Sequence, residues 1–465
     1  MLWCCGAAGS GGGQATLCRH RCRERLATLL IAPGCRARRY TFTVVAVIEK
    51  TIISSAALTC LVLASVLSAS GCAGNDNAAT HESTPVISGQ LNEGTGSRAG
   101  ALNAADNMPD IDARLGAVTS LAARITYTST SGINDSDYKV TGTVFAPKGD
   151  PPAGGWPMVA LGHRATGIRS ECAPSLSPTL LGESATVTEL VKAGFVVAVP
   201  DYQGLGVNTT YHPFLDSTTE GYNLIDSMSA TRKVVPDTSD KWIAFGIGQG
   251  GQAAWAANEL VDNHRMGLNL MGAVSASPIA DIEGLADAAT AGGLTTDQKL
   301  TLASFLAALK NTYRDDVNLD DYRRGAAKEN WDALLACDAK SSDERTRLAS
   351  QINADDLRPR SPDAVDSLRG FLQKTTLPQG PTSAPMLVVY GGQDPLIPRA
   401  WTDRALDRAC KMGDVIQIEF QPDKGGDDID VSKALGWISD RLKGTLTLND
   451  CGSFSAADES PRAVG

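Results

Sequence analysis

The sequence predicts an α/β architecture: a doubly wound, mostly parallel sheet with an inserted helical cap. Three observations carry this reading. Short β-rich runs alternate with amphipathic helical patterns, the runs read as buried strands, and one long interval breaks the rhythm with helices alone.

Residues 124–147 alternate apolar and polar around a turn, as a β-hairpin should. Strand-like runs follow at 156–163 (WPMVALGH), 195–204, 242–248, 271–278, 385–394 and 415–422. Amphipathic patterns between them, near 184–193, 219–234, 250–264, 400–411 and 430–442, predict the intervening helices. The interval 280–375 is charged, rich in Ala and Leu and free of strand-like runs, so it reads as the cap. Caps inserted after a central strand cover a crevice at the carboxyl ends of the strands. The core is therefore expected over 116–279 and 376–452, and residues 453–465 read as a disordered tail.

The 465 residues are 43% hydrophobic and 20% charged, the balance of a soluble globular protein. The net charge is −10, and it becomes −16 once the first 71 residues are set aside, because those carry eight basic and two acidic residues. An acidic surface repels phosphate backbones, so no nucleic-acid partner is expected.

Thr51 to Ser68 is an apolar stretch preceded by Lys50, the build of a bacterial export signal. It runs into Ala69-Ser70-Gly71-Cys72, which resembles the recognition sequence of lipoprotein signal peptidase, with Ala where Leu is commoner. Lipidation of Cys72 is expected, with the chain held outside the cytoplasm on the bacterial membrane or envelope, or released from it. An uncleaved membrane anchor is the alternative. Residues 1–43 fit no such signal, so translation is expected to begin near Val44, Val45 or Val47, and residues 44–71 form the signal peptide. Residues 72–115, rich in Gly, Asn, Ser and Thr, read as a flexible tether. A Cys/His cluster at Cys18–Cys22 lies upstream of the expected start and is not read as a metal site.

Cys172, Cys337, Cys410 and Cys451 form an even set suited to an oxidising compartment. Four cysteines allow three connectivities, of which Cys172 with Cys337 and Cys410 with Cys451 is preferred. No HExxH, CxxC or phosphate-binding loop appears, so no metal or cofactor is expected. A monomer is expected.

The stretch Phe245 to Gly251, FGIGQGG, keeps the spacing of the G-x-S-x-G nucleophile elbow at Gly246, Gly248 and Gly250. Glycine stands where the serine would be. Around it, GGWPMVALGHRATGIRSECAPS (154–175), VPDYQGLGVNTTYHPFLDSTTEGYNLIDSMSATR (199–232) and YGGQDPLIPRAWTD (390–403) complete a pattern. Over about residues 120–452 the chain resembles the secretory lipase family.

That resemblance implies the α/β-hydrolase fold, a lipid or acyl-ester ligand, and a Ser-His-Asp triad beneath a helical lid. Asp394 matches the triad acid. The nucleophile maps onto Gly248, where glycine relaxes a strained turn while deleting the attacking oxygen. The histidine maps near Gly426 in DKGGDDID, and no histidine follows His264. In the oxyanion loop, Arg164 stands where a small residue would let its N–H face the substrate, while the N–H of Gln249 remains a second donor. His163 reads as scaffold, His212 as scaffold or pocket wall, and His264 as the end of a helix. Ser275 and Ser277 lie at the end of the next strand, without an evident activating base.

Three readings follow. The chain is a non-hydrolytic lipid- or acyl-binding protein, an active lipase or esterase hydrolysing acyl esters through an unrecognised nucleophile, or a structural envelope protein. The last predicts tolerance of Ala254→Trp, if Ala254 lines the crevice.

Overall fold

The computed structural model describes residues 99–454, apart from 265–266 and 338–341. The expected start, export signal, Cys72, Cys18–Cys22, most of the tether and the tail from 455 lie outside these residues.

Nine strands form one sheet: β1 (Leu102–Asn107), β2 (Thr119–Thr130), β3 (Asp137–Pro147), β4 (Trp156–Gly162), β5 (Val196–Pro200), β6 (Thr238–Ile247), β7 (Asn269–Ala276), β8 (Met386–Gly391) and β9 (Ile416–Gln421). Their order is β1-β2-β3-β5-β4-β6-β7-β8-β9. Pairing is antiparallel from β1 through β5 and parallel from β5 through β9. The doubly wound, mostly parallel sheet of the α/β-hydrolase fold is therefore present.

The helices outside the cap are α1 (Ala113–Val118), α2 (Ser184–Lys192), α3 (Ser217–Val234) and α4 (Gln249–Leu260). The cap holds α5 (Gly284–Ala291), α6 (Thr296–Thr312), α7 (Gly325–Glu329), α8 (Trp331–Leu334), α9 (Ser342–Gln351) and α10 (Pro362–Thr375). The core resumes with α11 (Arg399–Met412) and α12 (Ala434–Leu442).

Strand parity divides the core into two layers. Met158, Ala160, Val196, Ala198, Trp242, Ala244, Met386 and Val388 point to one face and pack with α3, α4 and α11. Val159, Leu161, Val197, Val199, Ile243, Phe245, Leu387 and Val389 point to the other, against α2 and α12. A strand buried on both faces has to be apolar at every position, which is why these segments lack a polar alternate. Each fully buried aliphatic side chain contributes about 1.5–3 kcal/mol relative to exposure, so this double layer is the main source of stability.

Two boundaries differ from expectation. Residues 102–107 of the expected tether form β1, paired with Ala123–Tyr127 of β2, and α1 also begins before residue 116. Leu102 and Ala105 are the buried residues of this strand, too few to give an apolar rhythm. At the other end Phe454, placed in the tail, packs against the main core.

The cap is helical throughout its described residues, with short 3-10 turns and its own core. Leu302, Phe305 and Leu306 of α6 meet Leu368 and Leu372 of α10, and Phe214 and Leu215 of the main body join them. The helix α6 begins with a reciprocal cap between Thr295 and Gln298. A Cys172–Cys337 disulfide ties the loop after β4 to the cap, and Cys410–Cys451 ties α11 to the carboxyl-terminal segment. The buried Asp281 at the cap's entry receives Arg404 at 3.2 Å and Arg408 at 2.9 Å. Arg408 also donates to the carbonyl of Leu377 at the cap's exit, and the Leu377 N–H reaches the Ala280 carbonyl at 2.7 Å.

Candidate functional site

Between β6 and α4 the chain turns at Gly248 with φ 64° and ψ −118°. Such a turn brings the helix start against the sheet, and a Cβ on Gly246 would lie 2.1 Å from the carbonyl oxygen of Gly250. Likewise a Cβ on Gly250 would lie 1.9 Å from the Gly162 oxygen, so both flanking glycines are required by close approach. Gly248 differs. A Cβ there would meet nothing within 4 Å, so the nucleophile's direction opens into free space.

The Gly248 N–H donates to Ala276, and its carbonyl accepts from Gln252 and Ile279. No side chain caps α4. Its uncapped amino end presents N–H groups beside position 248, as an oxyanion site requires.

The side chain of Gln249 turns inward. Its Nε2 donates to Glu220 Oε1 at 2.6 Å and to His212 Nε2 at 3.1 Å. His212 therefore accepts at Nε2 and donates from Nδ1 to the Gln203 carbonyl at 3.0 Å. Burial, aided by the nearby His163, pulls the His212 pKa down to about 3, so the ring is neutral. Burial pushes the Glu220 carboxyl well above its ordinary range, while the bond from Gln249 works against the shift. This buried network fixes the elbow from below and leaves neither His212 nitrogen free.

His163 is buried with both ring nitrogens facing main-chain carbonyls, those of Arg164 at 2.6 Å and Asp201 at 3.3 Å. Its ring lies 4.3 Å from that of Tyr202, and burial lowers its pKa. The arrangement is architectural. The Arg164 N–H meets Glu183 Oε1 at 3.3 Å and its guanidinium meets the same oxygen at 3.0 Å. The N–H expected as an oxyanion donor is engaged by a buried acid that sequence reading did not weigh.

Asp394 follows β8. Its Oδ1 accepts from the N–H groups of Leu396 and Ile397, both at 2.9 Å, and its Oδ2 accepts from Gly426 at 3.0 Å. Asp394 and Gly426, placed together by the sequence reading, are thus in direct contact. Gly426 has φ 55°, and a Cβ there would meet only the Pro395 ring, at 3.5 Å or more. Three main-chain donors thus meet the carboxylate. The cap reaches this loop too, as Thr295 Oγ1 donates to the Pro395 carbonyl at 2.7 Å and Gln298 Nε2 to that of Leu396 at 3.1 Å.

Ser275 donates to the Gly251 carbonyl at 2.8 Å and is fully buried. Ser277 has φ 37° and a buried hydroxyl without a partner. Ala254 lies within the main core rather than along the crevice, so its replacement by Trp tests packing, not ligand access. His264 stands beyond the last residue of α4 and bonds Asp226 at 2.8 Å. Between the main body and the cap, Pro213, Phe214 and Asp216 face Phe305, Leu309 and Phe371 around a hollow of about 20 Å³. That is room for about one water.

Residues 176–450 match the family model described as secretory lipase. The chain belongs to the secretory lipase family. No curated protein matches it in sequence. This secretory lipase family member is similar to Candida antarctica lipase A in its closed state, at 15% identity and a TM-score of 0.62, over 77% of this chain and 86% of the other. It is also similar to a rice cell wall degrading esterase, LipA, from Xanthomonas oryzae, at 20% identity and a TM-score of 0.59, over 75% and 100%. A putative hydrolase from Legionella pneumophila aligns at 16% identity and a TM-score of 0.58, over 74% and 96%. These likenesses establish the α/β-hydrolase fold. The described disulfides suit an exported member of the family.

Proposed function

We propose that this secretory lipase family member binds a lipid or acyl-ester ligand beneath its cap without hydrolysing it, and that it is exported as a lipoprotein anchored through Cys72. The observation that carries the reading is Gly248, an elbow with intact turn and open space but no side chain to attack. Two further facts support it. Asp394 accepts three main-chain N–H bonds and no imidazole, and the sequence holds no histidine after His264.

Loss of nucleophile or base alone costs about 10⁶-fold in turnover in a protease using this triad, leaving about 10³ to 10⁴ over water. Turnover of p-nitrophenyl butyrate and laurate by the purified chain is expected to equal that of an Asp394→Asn control, and organic extraction is expected to release a bound lipid. Ester turnover abolished by Asp394→Asn would overturn the reading. A second reading, hydrolysis through another hydroxyl, is favoured by the unpaired Ser277 Oγ. It requires covalent capture by a fluorophosphonate probe at that residue. The anchor is tested by incorporation of labelled palmitate, expected in the wild type and absent from Cys72→Ser.

A further inference from the structure

Gly248 and Asp394 follow the carboxyl ends of β6 and β8. Toward the amino ends of β8 and β9 lies a second feature, a groove of about 300 Å³. That volume is at the lower end of small-molecule sites, which run from about 300 to 1,000 Å³. It is lined by Gln417 and Glu419 of β9, Trp437 and Arg441 of α12, and Leu446 and Leu448 of the segment after α12.

Arg441 is only 5% exposed, yet its Nε and Nη1 have no hydrogen-bond partner. Its stem packs on β7, where a Cβ at Gly272 would lie 3.1 Å from the Arg441 Cγ, and its guanidinium lies 5.0 Å from the Trp437 ring. No described carboxylate forms an ion pair with it. Two acids line the groove with it, Glu419 and Asp440, and Glu419 is paired with Lys433 at 3.0 Å. Asp440 acts on Arg441 only through its field, opposing the burial that lowers the arginine pKa. Elsewhere Arg404 and Arg408 meet Asp281 directly, so the solitary state of Arg441 is not general to this fold. Two buried guanidinium nitrogens without partners are unfavourable, and an anion in the groove would relieve them.

The apolar wall is equally specific. Leu446 is 94% exposed and Leu448 68%, while Thr447 between them is held inward, accepting from Trp437 Nε1 and donating to Gln417 Oε1, both at 3.1 Å. Beyond them Asp450 accepts from the Ile418 N–H at 2.8 Å, and Cys451 is bonded to Cys410. The leucines are thus presented by a fastened strap. An unneutralised cation beside an aromatic ring and two fixed, solvent-facing leucines matches one class of molecule.

We propose that this groove binds a single-chain amphiphile by its anionic head, a carboxylate or a phosphate, with Arg441 holding the head and Trp437, Leu446 and Leu448 the tail. The site is separate from the elbow and does not depend on the function proposed for it.

Calorimetric titration of the purified chain with laurate, dodecyl phosphate and dodecanol tests the assignment. Laurate or dodecyl phosphate is expected to bind, and Arg441→Met to weaken that binding at least ten-fold while leaving dodecanol unchanged. The tighter head identifies a fatty acid or a phosphorylated lipid as the source. Should Arg441→Met fail to fold, the exposed pair Leu446→Asp/Leu448→Asp is expected to weaken the same ligands at least ten-fold. A site under the cap would survive both changes. Binding that neither variant alters, or dodecanol binding as tightly as laurate, would overturn the proposal.

Discussion

Gly248→Ser returns a hydroxyl to the elbow, and the local geometry fixes what this should do. The new Cβ meets nothing within 4 Å, so no steric term enters. What remains is backbone strain, because φ is 64° and ψ −118°, and a non-glycine residue in such a region costs about 1–3 kcal/mol. Removing a glycine also restricts the unfolded chain, which returns about 0.4–1 kcal/mol. The net expectation is a loss of about 1–2 kcal/mol, read as a small fall in denaturation midpoint at unchanged m-value. Hydrolysis of p-nitrophenyl butyrate should stay at the Asp394→Asn background, since no imidazole contacts Asp394 to form a base. A gain in turnover or fluorophosphonate labelling at position 248 in this single variant would reveal a functioning base and refute the reasoning. A destabilisation much above 3 kcal/mol would refute the open space above the elbow.

Three other perturbations have defined outcomes. Burial raises the Glu259 pKa to about 8, although the N–H groups of Gln379 and Gly380 partly oppose it. The folded state therefore retains a proton that the unfolded chain releases from about pH 4.5, so its contribution to stability is full below that pH and declines until about pH 8. In Glu259→Gln that decline should vanish from a pH series of denaturant melts, leaving the variant several kcal/mol more stable above pH 8, about 5 at most by linkage. Asp394→Asn places an amide before three main-chain donors and should lower stability by about 1–3 kcal/mol in urea unfolding, whatever it does to turnover. The paired change Cys172→Ala/Cys337→Ala should cost about 2–5 kcal/mol and speed limited proteolysis within 280–375, whereas equal digestion rates would mean the cap is held by other contacts.

The sheet was legible because its strands are buried on both faces: a segment such as FVVAVP leaves little choice but a central strand. The elbow was legible for a different reason, since Gly246 and Gly250 are imposed by backbone contact and leave a fixed spacing. β1 escaped notice because an edge strand with two buried residues has no pattern until its partner is known. The Glu220–Gln249–His212 network could not be read either. Its members are 29 and 37 residues apart, and a polar residue destined for burial looks like any other until the chain folds. The cue available was the helix α3, where Glu220, Asn223 and Asp226 all fall on buried positions. The Arg164–Glu183 contact was equally hidden, its two partners lying 19 residues apart.

The hydrogen bonds from Thr295 and Gln298 to the loop of Asp394 couple the amino end of α6 to the carboxylate's surroundings. Any swing of the cap that carries α6 away has to release the carbonyls of Pro395 and Leu396, and this loosens the turn whose Leu396 and Ile397 amides Asp394 protects. Solvent exchange at those two amides thereby becomes a native reporter of cap opening, readable by mass spectrometry without a label or a substrate. Cap motion can thereby be timed independently of any turnover.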